Sequence, residues 1–183
     1  MTGVLENHQG TVSIGGRTIT NLRFADDIDD LAGKEEELAS LVDRLDKTSA
    51  TFGMEISAEK TKLMTNNANG ISIDNRVHGE KLDEVDSFKY LGAVVTDQGS
   101  KPEVLTRIAQ TTAALARLKT IWSDKHISLS SKIRLMRSLV NSVLLYARET
   151  WTLTAEILKK LQATEVRCFR KLLGISYRDH SSP

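Results

Sequence analysis

The chain has 183 residues, of which 40% are hydrophobic and 27% charged, and its formal net charge is +1. This composition is typical of one ordinary domain or two small ones, and it excludes a disordered or collagen-like chain. The single cysteine, Cys168, excludes an internal disulfide and a multi-cysteine zinc site. The longest stretch without a charge has 11 residues, too few to span a membrane, and no signal-peptide pattern opens the sequence. We therefore expect an intracellular protein, nuclear or cytoplasmic, with no membrane partner and no disulfide partner.

Charge is distributed unevenly along the chain. Residues 1–100 contain 10 Lys and Arg against 18 Asp and Glu, a net charge of −8, whereas residues 101–183 contain 15 against 6, a net charge of +9. An acidic half can hold cations, and a basic half can lie along a polyanion such as nucleic acid. Two solvated surfaces of opposite sign that neutralise each other within the fold are the open alternative.

The first part of the chain predicts short strands joined by tight turns. A β-prone run at 11–14 precedes Gly15-Gly16, which suits a two-residue hairpin turn, and a return strand follows over 17–24. Asp26-Asp27 separates this strand from a second apolar stretch at 28–32, which predicts another tight turn.

A helix is predicted over 34–52, where apolar residues recur at helical spacing and three glutamates occupy the first turn. Gly53 is a natural stop for it. Short strands are predicted at 54–56, 71–73 and 85–95.

The second half predicts three helices, over 101–122, 129–146 and 155–173. Ser100 and Glu103 have the spacing of a capping box, with Pro102 in the first turn. Thr154 and Gly174 cap the third helix at its two ends. The second helix should bury an apolar stripe made of Leu129, Ile133, Met136, Val140, Val143 and Leu144. Three helices joined by short loops favour a small bundle.

The segment Phe24-Ala25-Asp26-Asp27 is the sharpest chemical feature of the sequence. A turn can direct both carboxylates to one site, although neighbouring side chains on a strand point to opposite faces. Two such carboxylates suit Mg²⁺, which takes one or two carboxylates together with substrate phosphates. Asp29 and Asp30 bring the number of nearby carboxylates to four, so at least one pKa should rise. An ordinary acidic turn without a ligand is the alternative.

Two later segments indicate a function only when they are considered together with this turn. Gly53–Ile56 precedes Lys60-Thr61-Lys62, which alone is a helix end followed by solvated lysines. Phe88-Lys89-Tyr90-Leu91-Gly92 alternates aromatic with basic or small residues, which alone indicates a half-buried strand.

In this order and spacing, the segments resemble the C-terminal half of a reverse transcriptase, specifically that of non-LTR (LINE-type) retrotransposons. That family has an aromatic-Ala-Asp-Asp turn, a Gly…Lys-Thr segment, a Phe-x-Tyr-Leu-Gly strand and a helical thumb. Tyr146, Glu149–Trp151 and Arg170–Ile175 extend the resemblance into the thumb.

The resemblance implies a role for each matching residue. Asp26 and Asp27 would be the catalytic, Mg²⁺-binding pair, and Phe24 would lie beneath the primer terminus. Lys60 would lie near the triphosphate and protonate the leaving pyrophosphate. The strand that grips the primer would consist of Phe88, Lys89, Tyr90, Leu91 and Gly92. The helices after Ser100 would hold an RNA template and an RNA–DNA or DNA duplex through the backbone.

The implied fold is α+β: a partial antiparallel palm sheet with helices in residues 1–98, then a three-helix thumb bundle in residues 99–183. The family also uses a further catalytic aspartate and fingers from upstream of these motifs, so we expect this chain alone not to polymerise DNA. Asp30 stands where relatives have an apolar residue. Besides RNA-directed DNA polymerase, two alternatives stay open: a non-catalytic nucleic-acid-binding remnant, and a decayed fragment without selected function.

Basic residues recur at helical spacing on the predicted thumb helices. Arg134, Arg137 and Arg148 are predicted to share one face of the second helix, opposite its apolar stripe. The residues expected to bind nucleic acid, besides Phe24, are Arg117, Lys119, Arg134, Arg137, Lys160, Arg167 and Lys171. Such side chains pair with phosphates and read no bases.

Overall fold

A computed structural model describes residues 10–66 and 74–175, so the strand predicted at 71–73 lies outside the described residues. The chain divides into two compact units, Met1–Leu91 and Gly92–Pro183. The second unit begins earlier than the predicted boundary near residue 98. The reason is that the strand Ala93–Thr96 packs against the first helix of that unit.

The first unit contains one long helix and a series of short strands. Helix α1 spans Glu35–Thr51, close to its predicted bounds, and Gly53 follows it with a left-handed φ of 69°. The strands are β1 Ser13–Ile14, β2 Arg17–Thr18, β3 Asn21–Phe24, β4 Asp27–Asp30, β5 Lys62–Leu63, β6 Arg76–Val77, β7 Glu80–Lys81, β8 Asp83–Glu84 and β9 Ser87–Tyr90. The predicted strand at 54–56 is wrong, because no strand forms there.

The strands of the first unit lie in separate pairs. β1 with β2, β3 with β4, and β6 with β7 are antiparallel hairpins, whereas β5 and β8 pair in parallel. The predicted single strand over 17–24 is therefore two strands, each in its own hairpin. A palm sheet that joins these pairs stays a prediction.

The core of the first unit lies against α1. Leu41, Leu45 and Ser49 are spaced four residues apart and form the buried stripe of this helix. A buried cluster of Leu63, Val77 and Leu82 packs with Leu38, Val42, Ile56 and Ala58. Because β4 also contacts α1, the helix supports the strand that carries the acidic residues.

The second unit is mainly helical. Its elements are strand β10 Ala93–Thr96, helices α2 Lys101–Arg117, α3 Lys119–Ser123 and α4 Leu129–Leu135, the π-helical segment Met136–Asn141, helix α5 Ser142–Leu144, the 3₁₀ turn Arg148–Thr150, and helix α6 Ala155–Leu173. The bounds predicted for α6 are confirmed, as are its caps. Thr154 Oγ1 accepts the N–H of Ile157 at 3.3 Å, and Gly174 ends the helix with a φ of 68°.

The core of the second unit joins α2, α3, the π segment and α6. Its buried members are Leu115, Trp122, Met136, Val140, Cys168 and Leu172. The indole N–H of Trp122 donates to the carbonyl of Leu115 at 3.1 Å, so burying this polar group leaves no donor unpaired. Cys168 is a free, buried thiol, and burial raises its pKa. No described helix has the length and apolarity needed to cross a membrane.

The second predicted helix is less regular than its sequence pattern indicates. The π segment interrupts it, and α5 ends at Leu144 rather than near residue 146. A π turn holds more residues than an α turn. Side chains after the π segment therefore no longer fall on the helix face that a repeat of 3.6 residues predicts for them. Met136 and Val140 are buried as predicted, but Leu129 is exposed.

The predicted capping box at the start of α2 is wrong. Ser100 has helical φ and ψ values, and its side chain caps no N–H of the helix. Its Oγ instead accepts the N–H of Thr152 at 2.7 Å. Glu103 points to β10 and to Arg107 rather than back to Ser100. Ser100 and Glu103 therefore do not form the local hydrogen bonds of a capping box and interact with other groups of the unit instead.

Candidate functional site

The acidic turn forms the tip of the β3–β4 hairpin. Phe24 pairs with Asp27 in antiparallel register, and Ala25 and Asp26 make the two-residue turn between them. Ala25 has a φ of 56°, a left-handed conformation that is unfavourable for a residue with a Cβ atom. Strained positions of this kind cluster at functional sites. The tip is open to solvent, and Phe24 is 63% exposed.

Strand pairing sorts the aspartates onto two faces of the hairpin. Cross-strand partners share a face, so Asp27 and Asp29 lie on the side of Phe24 and Leu22. Asp30 lies on the opposite side and is half-buried. All four residue pairs of the hairpin form, so a carboxylate at the usually apolar position of Asp30 is compatible with its register.

The electrostatics of this hairpin connect it to β9. Burial raises the pKa of Asp29, and the charges of Asp27 and Asp30 raise it further, which confirms the expected rise in this cluster. The pKa of Tyr90 is also raised, first by burial and then by the charges of Asp29 and Asp27. The charges of the acidic face therefore act on the Tyr90 hydroxyl of β9.

Replacing Asp29 by asparagine is expected to raise thermal stability at neutral pH but not at a pH well below 3.8, the ordinary value for this carboxyl. A carboxyl whose pKa is raised in the folded state stabilises the fold below its unfolded pKa. That contribution is lost as the pH rises through the folded pKa. Asparagine does not ionise, so it avoids this loss.

Thermal melts of wild type and Asp29→Asn at both pH values measure the effect, with Asp86→Asn as the control on an exposed strand-flanking carboxylate. A gain of equal size at both pH values would contradict the assignment of the effect to ionisation.

The metal ligands available at the hairpin tip are two exposed carboxylates. Asp26 lies in the turn and Asp27 begins β4. This pair fits a Mg²⁺ ion that takes its remaining ligands from water and substrate phosphates. Within residues 10–66 and 74–175, no group of three or more His, Cys, Asp or Glu side chains is arranged to hold a metal ion. Mg²⁺ at this site therefore stays a prediction that depends on a bound nucleic acid or nucleotide.

Lys60 lies in an exposed turn shortly before β5. Its neighbour Lys62 is engaged, because its Nζ lies 2.7 Å from Oδ2 of Asp83. The structure places Lys60 in the same unit as the acidic hairpin, and its role as a proton donor stays a prediction.

The Phe88–Gly92 segment covers most of β9 and the turn that ends it. Phe88 and Tyr90 are half-buried and Lys89 is exposed, which is the alternation of a half-buried strand. Leu91 and Gly92 both have left-handed φ values, 48° and 82°, so the single strand predicted over 85–95 is wrong. Primer binding by this segment stays a prediction.

Arg107 of α2 holds Gly92 through a network that sequence reasoning missed. Its Nη2 donates to the Gly92 carbonyl at 2.6 Å, and its Nε pairs with Oε1 of Glu103 at 2.5 Å. The other oxygen of Glu103 accepts the N–H of Val94 at 2.7 Å. The guanidinium also lies over the Tyr146 ring, 4.4 Å from its centroid. The sequence did contain a signal for this ion pair, because Glu103 and Arg107 lie four residues apart, the spacing at which an acid and a base meet on a helix.

Six of the seven basic residues predicted to bind phosphates are exposed. Lys160 is half-buried instead, and its Nζ lies 3.6 Å from Oε1 of Glu156. Arg148 lies in the 3₁₀ turn beyond α5, so its predicted place on one helical face with Arg134 and Arg137 is wrong. In the described part of the chain, no ion pair engages the remaining side chains, which are Arg117, Lys119, Arg134, Arg137, Arg167 and Lys171.

Comparison with known proteins gives one informative match. A transposon-derived protein of Caenorhabditis elegans is 28% identical over 167 residues, which cover 89% of this chain. The chain spans 60% of the length of that relative. No known protein family and no solved structure matches the chain. The similarity supports a transposon-related origin.

Proposed function

We propose that the chain is the palm and thumb portion of a reverse-transcriptase-type polymerase and that it binds an RNA–DNA template–primer. The observation that carries this proposal is the exposed tip of the β3–β4 hairpin. There Asp26 occupies a strained turn, and Asp27 shares a face with the exposed ring of Phe24. An aromatic residue and two carboxylates on one open surface can meet the end of a nucleic-acid strand together.

Two further observations support the proposal. The pKa of Tyr90, from the segment proposed to grip the primer, is raised by burial and by the charges of Asp29 and Asp27, so these charges act on that segment. The second unit presents exposed basic side chains on α2, α3, α4, the π segment and α6, as duplex-backbone binding requires. The similarity to a transposon-derived protein fits the same origin.

The proposed division of labour follows from the chemistry of each group. Asp26 and Asp27 would hold Mg²⁺ against the phosphates of a bound nucleotide, where the ion stabilises charge on the attacking and leaving oxygens. Phe24 would pack against the sugar or base at the primer end. The basic helices would hold the duplex by its phosphates without reading sequence.

Iron-mediated cleavage tests the acidic part of the proposal without requiring polymerase activity. Fe²⁺ placed in the Mg²⁺ site, with hydrogen peroxide added as the oxidant and ascorbate to recycle the iron, should generate hydroxyl radicals that cut a bound RNA–DNA hybrid near the primer 3′ end. Asp26→Asn and Asp27→Asn should abolish this localised cleavage, because each removes a ligand. Asp43→Asn is the matched control, since Asp43 is an exposed carboxylate of α1 that pairs with Lys47.

A non-catalytic nucleic-acid-binding protein is the second candidate, and the exposed basic residues of the second unit favour it independently of the hairpin. Hybrid binding without localised cleavage would decide for this candidate and against the polymerase-type site. Absence of hybrid binding at low salt would overturn both.

A further inference from the structure

A groove in the second unit is lined by residues of α4, the π segment and α6 and has a volume of about 300 Å³. Its lining consists of Leu129, Ile133, Met136, Arg137, Asn141, Phe169, Leu172 and Leu173. Among them, Met136 and Leu172 are buried, whereas Phe169 is 48% exposed. A volume of this size is at the lower end of small-molecule sites, about 300–1,000 Å³, so it suits one flat group.

The polar part of the lining comes from the π segment. Arg137 and Asn141 lie four residues apart on it and both line the groove. Neither side chain has a hydrogen-bond or ion-pair partner among the described residues. π segments are frequent at functional sites, because the extra residue changes which side chains face a surface.

The combination of these groups has the chemistry of a nucleobase site. A partly exposed aromatic ring can stack on any base, and apolar walls favour the flat ring system. The Asn141 amide offers a donor and an acceptor to a base edge, and the Arg137 guanidinium can pair with the adjacent phosphate.

We propose that this groove binds one unpaired nucleobase of a single-stranded nucleic acid. The inference rests on the proposed function, because it takes the basic surface of the second unit as the surface that contacts the backbone. A peptide helix is the competing occupant. It needs a row of anchors at i, i+3 or i+4 and i+7, and a groove of this volume offers space for fewer.

The test compares oligothymidylate with an abasic strand of the same length, using fluorescence anisotropy on the full chain over a range of salt concentrations. Wild type should prefer the base-bearing strand by about 5- to 150-fold, the range expected for stacking one base. Phe169→Ala and Phe169→Leu should both lose this preference, while the salt dependence, which reports phosphates, persists. Val166→Ala is the matched control, since Val166 has a similar exposure on α6, 52% against 48%, but does not line the groove.

The outcomes separate this inference from the proposed function. Equal, salt-dependent binding of both strands overturns the nucleobase site and leaves backbone binding intact. Absence of salt-dependent binding to any strand or hybrid removes the proposed function and this inference with it. An acidic amphipathic peptide that binds wild type but not Phe169→Ala, while oligonucleotide binding is unchanged by that substitution, identifies the groove as a protein-docking site instead.

Discussion

Replacing Arg107 by alanine is expected to destabilise the second unit by about 3–5 kcal/mol, because the substitution leaves the Glu103 carboxylate buried without its counter-charge. Both side chains are almost fully buried, at 9% and 3% exposure. The substitution also removes the hydrogen bond to the Gly92 carbonyl and the stacking on Tyr146. Denaturant unfolding of the variant and wild type measures the loss.

Two further variants separate the ion pair from other effects of the Arg107 substitution. Arg117→Ala, at an exposed position of the same helix, should change stability by no more than about 0.5 kcal/mol. The double variant Glu103→Leu with Arg107→Met should lose less than either single substitution, since it buries no lone charge. A loss below about 1 kcal/mol in Arg107→Ala would contradict a buried, interacting pair.

Reversing two charges on the second unit is expected to weaken nucleic-acid binding by at least about tenfold. The variant is Arg134→Glu with Arg137→Glu, two exposed side chains without ion-pair partners in the described part of the chain. Each phosphate contact that is lost lowers the slope of log affinity against log salt by ~0.9 on a duplex, so the slope should fall by about 1.8.

Binding to an RNA–DNA duplex, titrated at several salt concentrations, measures both quantities. The charge-matched control is Lys34→Glu with Lys47→Glu in the first unit, which changes the net charge by the same amount on two exposed residues. If the control weakens binding as much as the variant does, net charge rather than a located surface governs association. If charge reversal at Arg134 and Arg137 leaves binding and its salt dependence unchanged, the alternative that the basic residues only neutralise the acidic half is favoured.

Helix α6 is an element whose bounds local sequence signals predict correctly. Its periodic apolar residues, the Thr154 cap and Gly174 predicted bounds that the structure confirms. The β3–β4 turn was also predicted, because two acids between two β-prone runs are a local pattern, although the turn consists of Ala25 and Asp26 and Asp27 already begins β4. In both cases the determining interactions lie within a few residues along the chain, so composition and spacing suffice.

Other features depended on partners distant in sequence. Ser100 and Glu103 match a capping box, yet Glu103 pairs with Val94 and Arg107, and Ser100 pairs with Thr152. A buried carboxylate requires a strong partner. Glu103 therefore pairs with Arg107 instead of forming the local capping hydrogen bond, and the packing of the unit, rather than the sequence spacing, decides between the two.

The sequence by itself determined the order of the motifs, the opposite charges of the two halves and the position of the acidic turn. Only the tertiary structure decided that the charges of Asp29 and Asp27 act on Tyr90, and that a π segment brings Arg137 and Asn141 to the wall of an apolar groove. The physical reason is the separation along the chain between the residues that interact. Turns and caps are stabilised by neighbouring residues, whereas burial, pKa shifts and groove geometry arise from contacts between segments that are far apart in the chain.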